Sequence, residues 1–207
     1  MHWRKFTVIH SHEEYTNRDL RDAVWPDTEL SGAAFTGCSF QGADLEGLST
    51  KGCLFTDCDF SFARLQGSLH LRSSFVNCRF SGASLFGAVF QECKAVGSNF
   101  AGAVLTGLEI FGGNFSFSIW EGCSLKKMDF RSCNLSGANF AEADLEKAVL
   151  SACNLRQAVV RGANLKGADL RGAAIGGMDL KSARMQNTKI DLEQAVLLAE
   201  SLGAKLE

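Results

Sequence analysis

Eight cysteines, His10 and His12 beside Glu13 and Glu14, and an isolated His70 are the side chains that could bind metal, form disulfides or move protons. The cysteines (Cys38, Cys53, Cys58, Cys78, Cys93, Cys123, Cys133, Cys153) lie at multiples of five residues from one another. Such spacing follows from a repeat and implies no metal site. The His10/His12/Glu13/Glu14 group lacks further ligands and reads as a solvated polar cap. No phosphate-cradling glycine loop and no nucleophile elbow is present, so neither an enzyme nor a cofactor is expected.

The element that positions these residues is a period of five. From Tyr15 to Ile190, 33 of 36 fifth positions carry a large apolar residue, the exceptions being Thr50, His70 and Ala95. Two residues before each large one stands a small residue, often alanine (Ala43, Ala83, Ala138, Ala163), and all eight cysteines occupy this place. Helices repeat every 3.6 residues and strands every 2, so neither fits this comb. A coil with four five-residue sides does, stacking turns at about 4.8 Å into a filled rod about nine turns long. Eighteen of the 21 glycines sit two residues after the large position, where corners need positive φ. Asp or Asn just before the large position (Asp44, Asn99, Asp129, Asn134, Asp169) can bond nearby backbone. Stacked thiols one strand spacing apart exceed the ~3.8 Å Cβ separation of a disulfide and should stay reduced. His70 falls at a core position, packed or bulged, and a convex rod offers no catalytic pocket.

At the ends, Trp3, Phe6 and Val8 with Tyr15 suggest a segment folded over the first coil. Asp191 and Gln194 open a helical pattern with a capping-box spacing. The expected organisation is an N-terminal cap over 1–14, the coil over 15–190, and a helix and tail over 191–207. The first fifteen residues hold no apolar run of signal-peptide length and nothing further on approaches a membrane span. A soluble cytoplasmic protein is the expectation.

The segments GADLEG (42–47), GANF (137–140), EADLE (142–146) and GANLKGADLRGA (162–173) resemble the pentapeptide-repeat family. That resemblance implies an all-β, right-handed quadrilateral β-helix with a short C-terminal α-helix. Overall length, the register without the projecting loops of the Qnr proteins and the segment DLEQAVLLAESLGA resemble the MfpA-type members in particular, within the MfpA and Qnr subgroup. Those act as dimers that imitate duplex DNA and bind DNA gyrase or topoisomerase IV, protecting it from fluoroquinolones or other poisons. The resemblance implies the same partner here, and a head-to-head homodimer through Leu192, Val196, Leu198, Ala199 and Leu202. A monomeric cap is the other reading of that helix.

Charge bears on this, because a DNA mimic should offer carboxylates to a basic groove. Net charge is only −2, with eight acids against two bases from Glu13 to Glu46 and seven bases against two acids from Arg156 to Lys189. A head-to-head dimer would therefore have acidic arms and a basic waist, and no side of the coil is uniformly acidic. The outward acids expected to make the contact are Glu46, Asp57, Glu92, Glu109, Glu121, Glu142 and Glu146; Glu109 is too long for the local turn bond. A different class of function, an interaction scaffold, would dock through outward apolar residues at Val76, Val96, Phe111 and Phe117. Bulges at His70 and Ala95 would instead turn Leu69, Leu71 or Val96 inward. Direct nucleic-acid binding by the basic segment is the weakest reading.

Overall fold

The computed structural model describes residues 9–205; the cap residues Trp3, Phe6 and Val8 lie outside them. Backbone pairing is parallel and links each residue to the one twenty ahead, from Glu14↔Ala34 to Asp169↔Lys189. Among the described residues, nine short strands form two sheets on two sides of the coil. One side stacks β1 (Glu14–Thr16), β3 (Ala34–Thr36), β5 (Leu54–Thr56) and β7 (Ser74–Val76). The other stacks β2 (Glu29–Ser31), β4 (Ser49–Lys51), β6 (Leu69–Leu71), β8 (Val89–Gln91) and β9 (Glu109–Phe111). Isolated bridges at the same twenty-residue spacing carry the remaining sides. The result is the four-sided β-solenoid that the period predicts.

Its core is a set of aromatic columns. Phe35, Phe55 and Phe75 stack face to face at 5.0 and 4.8 Å, and Phe40, Phe60, Phe80 and Phe100 at 4.7, 5.1 and 4.8 Å. These distances equal the strand spacing, because each turn contributes one ring per column. Neighbouring columns meet edge to face, as Phe35 meets Phe40 at 5.4 Å, the alternative favourable aromatic geometry. At the small inward positions the thiols donate to carbonyls one turn below, Cys58 to Phe35 at 3.4 Å and Cys93 to His70 at 3.2 Å. All eight cysteines are free and buried, and burial pushes Cys93 and Cys123 up to about 11.

Corners take positive φ at glycine and non-glycine residues alike, including Phe62, Glu142 and Phe117. A non-glycine corner side chain points along the rod onto the corner one turn ahead. Phe117 lies over Gly137, where an added Cβ would stand 2.6 Å from the ring, and Phe62 covers Gly82 in the same way. Asp and Asn before the large position accept from the N–H two residues on, as Asp59 does from Ser61 at 2.9 Å. Amide ladders also climb the rod, Asn154 donating to Asn134 and Asn134 to Asn114.

The register passes through the three exceptions without a bulge. Thr50 pairs with His70 and His70 with Phe90, and bridges to Ser74 and Asn114 hold Lys94 beside the buried Ala95. His70 is fully enclosed: Nδ1 meets Thr50 Oγ1 at 2.8 Å, Nε2 meets Ser68 Oγ at 3.0 Å, and Thr50 reaches Ser73 Oγ at 2.9 Å. Loss of solvent pushes its pKa down from 6.5 to about 3.

At the C-terminal end, α1 (Leu192–Ser201) starts with a complete capping box between Asp191 and Gln194. Asp191 also accepts from Gly172 N–H at 2.7 Å, and the buried Gln194 amide donates to the carbonyls of Leu170 and Ala173. The helix start thus occupies backbone groups of the last turn that a further coil would otherwise pair.

Core and corners each give a measurable consequence. Because the folded state holds His70 neutral, the unfolded chain binds the extra proton between pH 6.5 and about 3, and stability falls as pH falls through that window. The slope from this one group is about 1.4 kcal/mol per pH unit, and His70→Phe should flatten the urea-midpoint profile between pH 6 and 4.5. Gly137→Ala should cost about 1–2 kcal/mol from the left-handed backbone, plus displacement of Phe117. Gly122→Ala, with open space at its Cβ, should lose only the backbone term in the same urea titration.

Candidate interaction surfaces

The seven outward acids are dispersed over several sides and corners, and four are held by bases of the same chain. Arg64 bridges Asp44 at 3.1 Å and also grips Glu46, and Arg72 Nε meets Glu92 at 2.7 Å. Lys126 lies between Asp144 at 3.1 Å and Glu146 at 3.7 Å, and Arg161 stands 4.0 Å from Glu142. Asp57, Glu109 and Glu121 make no ion pair among the described residues. Asp57 accepts from Asn77 at 3.2 Å and Glu121 from Asn139 at 3.4 Å. These are exposed pairs, each weak in water, but together they cancel much of the acidic surface.

A second kind of pairing recurs across the large position itself. Asp19 with Arg21, Asp129 with Arg131 and Asp169 with Arg171 form two-pronged contacts. The guanidinium beside each holds Asp19 and Asp169 down to about 2 and lowers Asp129. The signal was present in the sequence as Asp-x-Arg, since residues flanking one inward side chain both face out.

Once the pairs are removed, charge sorts along the axis. Glu14, Asp22, Asp27 and Glu29 of the first turn make no ion pair, and neither do Arg156, Lys166, Lys181, Arg184 and Lys189 of the last turns, among the described residues. Arg18 is likewise unpaired among the described residues at the first end, and Asp179, Glu193 and Glu200 at the last. The first turn thus carries a net excess of free acid and the turns from Arg156 to Lys189 a net excess of free base, while α1 itself carries free acids.

Phe111 and Phe117 are 55% and 62% exposed, whereas Val76 and Val96 are half-buried. Leu69 is exposed and Leu71 half-buried, as an unbulged register requires. Phe62, Phe86 and Val104 are exposed too. On α1, Leu192 and Leu202 are exposed, Val196 and Ala199 half-buried, and Leu198 packs against the core of its own coil. Leu197, not among the expected contacts, is also exposed.

The rod is not uniformly convex, which corrects the expectation of a pocketless surface. On two sides the ladder stops at Val104 and Glu109 and resumes at Ser124 and Asp129, while the other two sides continue through Asn114 and Ile119. A cleft of about 1030 Å³ opens there. Leu108 and Met128, large residues at successive small positions of one column, stand directly above one another in its floor. The lower coil is drawn away from the upper one: Gly82 N–H bonds Gly102, and an ideal Cβ on Gly113 would lie 2.2 Å from the Cys93 carbonyl.

The groups with chemical potential are arranged otherwise. His10, His12, Glu13 and Glu14 are exposed, with the His12 ring over Gly32. No cluster of three metal-ligating side chains occurs among the described residues. The Thr50–His70–Ser73 group is sealed in the core, where no substrate reaches it. No described helix is long and apolar enough to cross a membrane.

Residues 114–196 match the pentapeptide repeat region family, and residues 19–47, 53–91 and 83–110 match pentapeptide repeats (8 copies). Among solved structures, a trypsin-treated single-substitution variant of QnrB1, a plasmid-mediated fluoroquinolone resistance protein, superposes with a TM-score of 0.71 at 25% identity. That match covers 96% of this chain and 99% of the other. Full-length QnrB1 gives 0.64 at 27% identity over 94% and 99%. HetL, a pentapeptide repeat protein involved in heterocyst differentiation regulation from the cyanobacterium Nostoc sp. strain PCC 7120, shares the fold at TM-score 0.55 and 21% identity, covering 90% and 92%. No curated protein sequence matches the chain. Together the two repeat matches span most of the coil, and the chain belongs to the pentapeptide-repeat family.

Proposed function

We propose that this protein is a non-enzymatic, DNA-shaped binder of DNA gyrase or topoisomerase IV that inhibits the enzyme or shields it from its poisons. The observation that carries this reading is the end-to-end match to QnrB1, over 96% and 99% of the two chains at a TM-score of 0.71. A solid rod presents to a DNA-binding groove what a duplex presents: an elongated convex body with outward charge. Such an enzyme works in the cytoplasm, and the binder would act there.

The charge pattern sets where contact forms. Two rods joined head to head through α1 carry a net excess of free acid at their distal ends and of free base on the turns that flank the acidic α1 helices. The distal turns, with Glu14, Asp22, Asp27 and Glu29, then face the basic groove, joined by the unpaired Asp57, Glu109 and Glu121. Glu46, Glu92, Glu142 and Glu146 contribute less, because each must first leave a base on its own chain. The exposed Phe111 and Phe117 favour a second reading, a scaffold docking a different protein through apolar contact.

A gyrase supercoiling assay with fluoroquinolone separates the two. The protein should inhibit supercoiling or rescue it from the drug. The triple variant Asp22→Lys/Asp27→Lys/Glu29→Lys should weaken that effect about tenfold or more, about 1.4 kcal/mol. Phe117→Ser should leave it unchanged; no effect of the native protein on supercoiling up to a large excess would favour the scaffold. In sedimentation equilibrium the native chain should be dimeric and Leu192→Glu/Leu202→Glu monomeric with unchanged circular dichroism.

A further inference from the structure

The cleft between the coils at 103–112 and 124–132 has features that a packing gap does not need. Elsewhere the large residue and the corner residue donate their N–H groups nineteen residues ahead, as Leu85 does to Val104 and Gly87 to Thr106. The upper coil obeys the same rule, with Leu125 bonding Asp144 and Lys127 bonding Glu146. On the lower lip, the N–H groups of Leu105, Gly107, Ile110 and Gly112 have no backbone acceptor among the described residues. On the upper lip, the carbonyls of Ser124, Lys126, Asp129 and Arg131 receive none of the donors the repeat assigns to them. Two parallel sheet edges therefore face each other, each with its unused groups in repeat register.

Between the edges lies core. Leu105, Leu108, Ile110 and Met128 are 6–9% exposed, while equivalent residues such as Leu85, Phe90 and Leu145 are at 0–1%. The charged groups at the mouth are Glu109 below, and Lys126, Lys127, Asp129 and Arg131 above. Asp129 is held by Arg131 and Lys126 by Asp144, and Lys127 makes no ion pair among the described residues, so the upper lip is net basic.

We propose that this cleft binds an extended segment of a partner protein as an inserted parallel strand, its apolar side chains spaced five residues apart and a carboxylate beside them drawn to the net positive charge of the upper lip. Strand addition satisfies main-chain groups on an open edge, and the pockets between them read the side chains. Here both edges are open, so one segment would bond above and below. The spacing of the unused donors, 105 and 107 followed by 110 and 112, sets the five-residue repeat of the guest. The apolar floor takes its inward residues, and the basic upper lip selects an acid. The site is independent of the topoisomerase reading, since it lies on the side of the rod and uses none of the acids assigned to that contact except Glu109.

The test uses the full chain labelled with 15N and the blocked decapeptide ADLEKAVLSA, the sequence of residues 143–152, as probe. Without peptide, the amides of Leu105, Gly107, Ile110 and Gly112 should exchange with deuterium at least about tenfold faster than those of Leu125, Lys127 and Phe130. Added peptide should shift resonances of 104–112 and 124–132 at micromolar to submillimolar concentration and slow those four amides. Lys127→Glu, on the surface and harmless to folding, should weaken binding about fivefold. Leu108→Ala/Met128→Ala should remove the wedge, protect the four amides and abolish binding. Equal protection of the two sets of amides in the native chain would overturn the proposal, as would peptide shifts confined to the last turn and α1. So would dodecanoate perturbing the cleft where the peptide does not, which would make it a pocket for small apolar anions.

Discussion

The structure depends on one constraint: a single large side chain per side per turn must stack on its counterpart at the strand spacing. Ring distances of 4.7 to 5.1 Å down the Phe40–Phe100 column and a constant twenty-residue pairing are the same dimension seen from inside and outside. An insertion of one residue would move every later side chain off its column. That is why the period passes through Thr50, His70 and Ala95 unchanged. The core absorbs these residues by other means, hydrogen bonds among Thr50, His70 and Ser73, and a tilt of Phe90 toward Phe115 at 6.5 Å.

With the interior fixed in this way, individuality is confined to positions that face out, and these are organised by pairing between neighbours. A side chain flanking the inward residue can reach its partner two residues away, as Asp19 reaches Arg21, or one turn away, as Glu46 reaches Arg64. Most central acids are spent in this way, with Asp57, Glu109 and Glu121 left unpaired among the described residues, and the free charge toward the two ends is of opposite net sign. A rod with acidic and basic poles presents its charge by polarity along the axis, and dimerisation at the basic pole would place both acidic poles outward. The QnrB1-like shape supports the topoisomerase reading, and this polarity confines the contact it proposes to the acidic poles.

Much of this was legible in the sequence, because a five-residue comb admits few architectures: the coil, the inward cysteines, the glycine corners and the capping box at Asp191 all follow from residue type and position. What was not legible depended on reach across turns. Glu46, Glu92, Glu142 and Glu146 look like free outward acids until Arg64, Arg72, Arg161 and Lys126 are placed beside them. Phe117 is outward in sequence, but only the left-handed corner shows that its ring lies on Gly137. The cleft is an intermediate case. Leu108 and Met128 are the one pair of large residues stacked in a column of small ones, yet whether the coil swells or splits there depends on the backbone at Gly102 and Gly113.

The most direct measurement of the central claim is competition: fluorescently labelled protein bound to DNA gyrase, titrated with duplex DNA long enough to fill the enzyme's groove. A DNA-shaped ligand predicts mutual exclusion, with labelled protein released as DNA binds and affinity falling steeply with salt. A stable ternary complex of gyrase, DNA and this protein, insensitive to salt, would contradict the account.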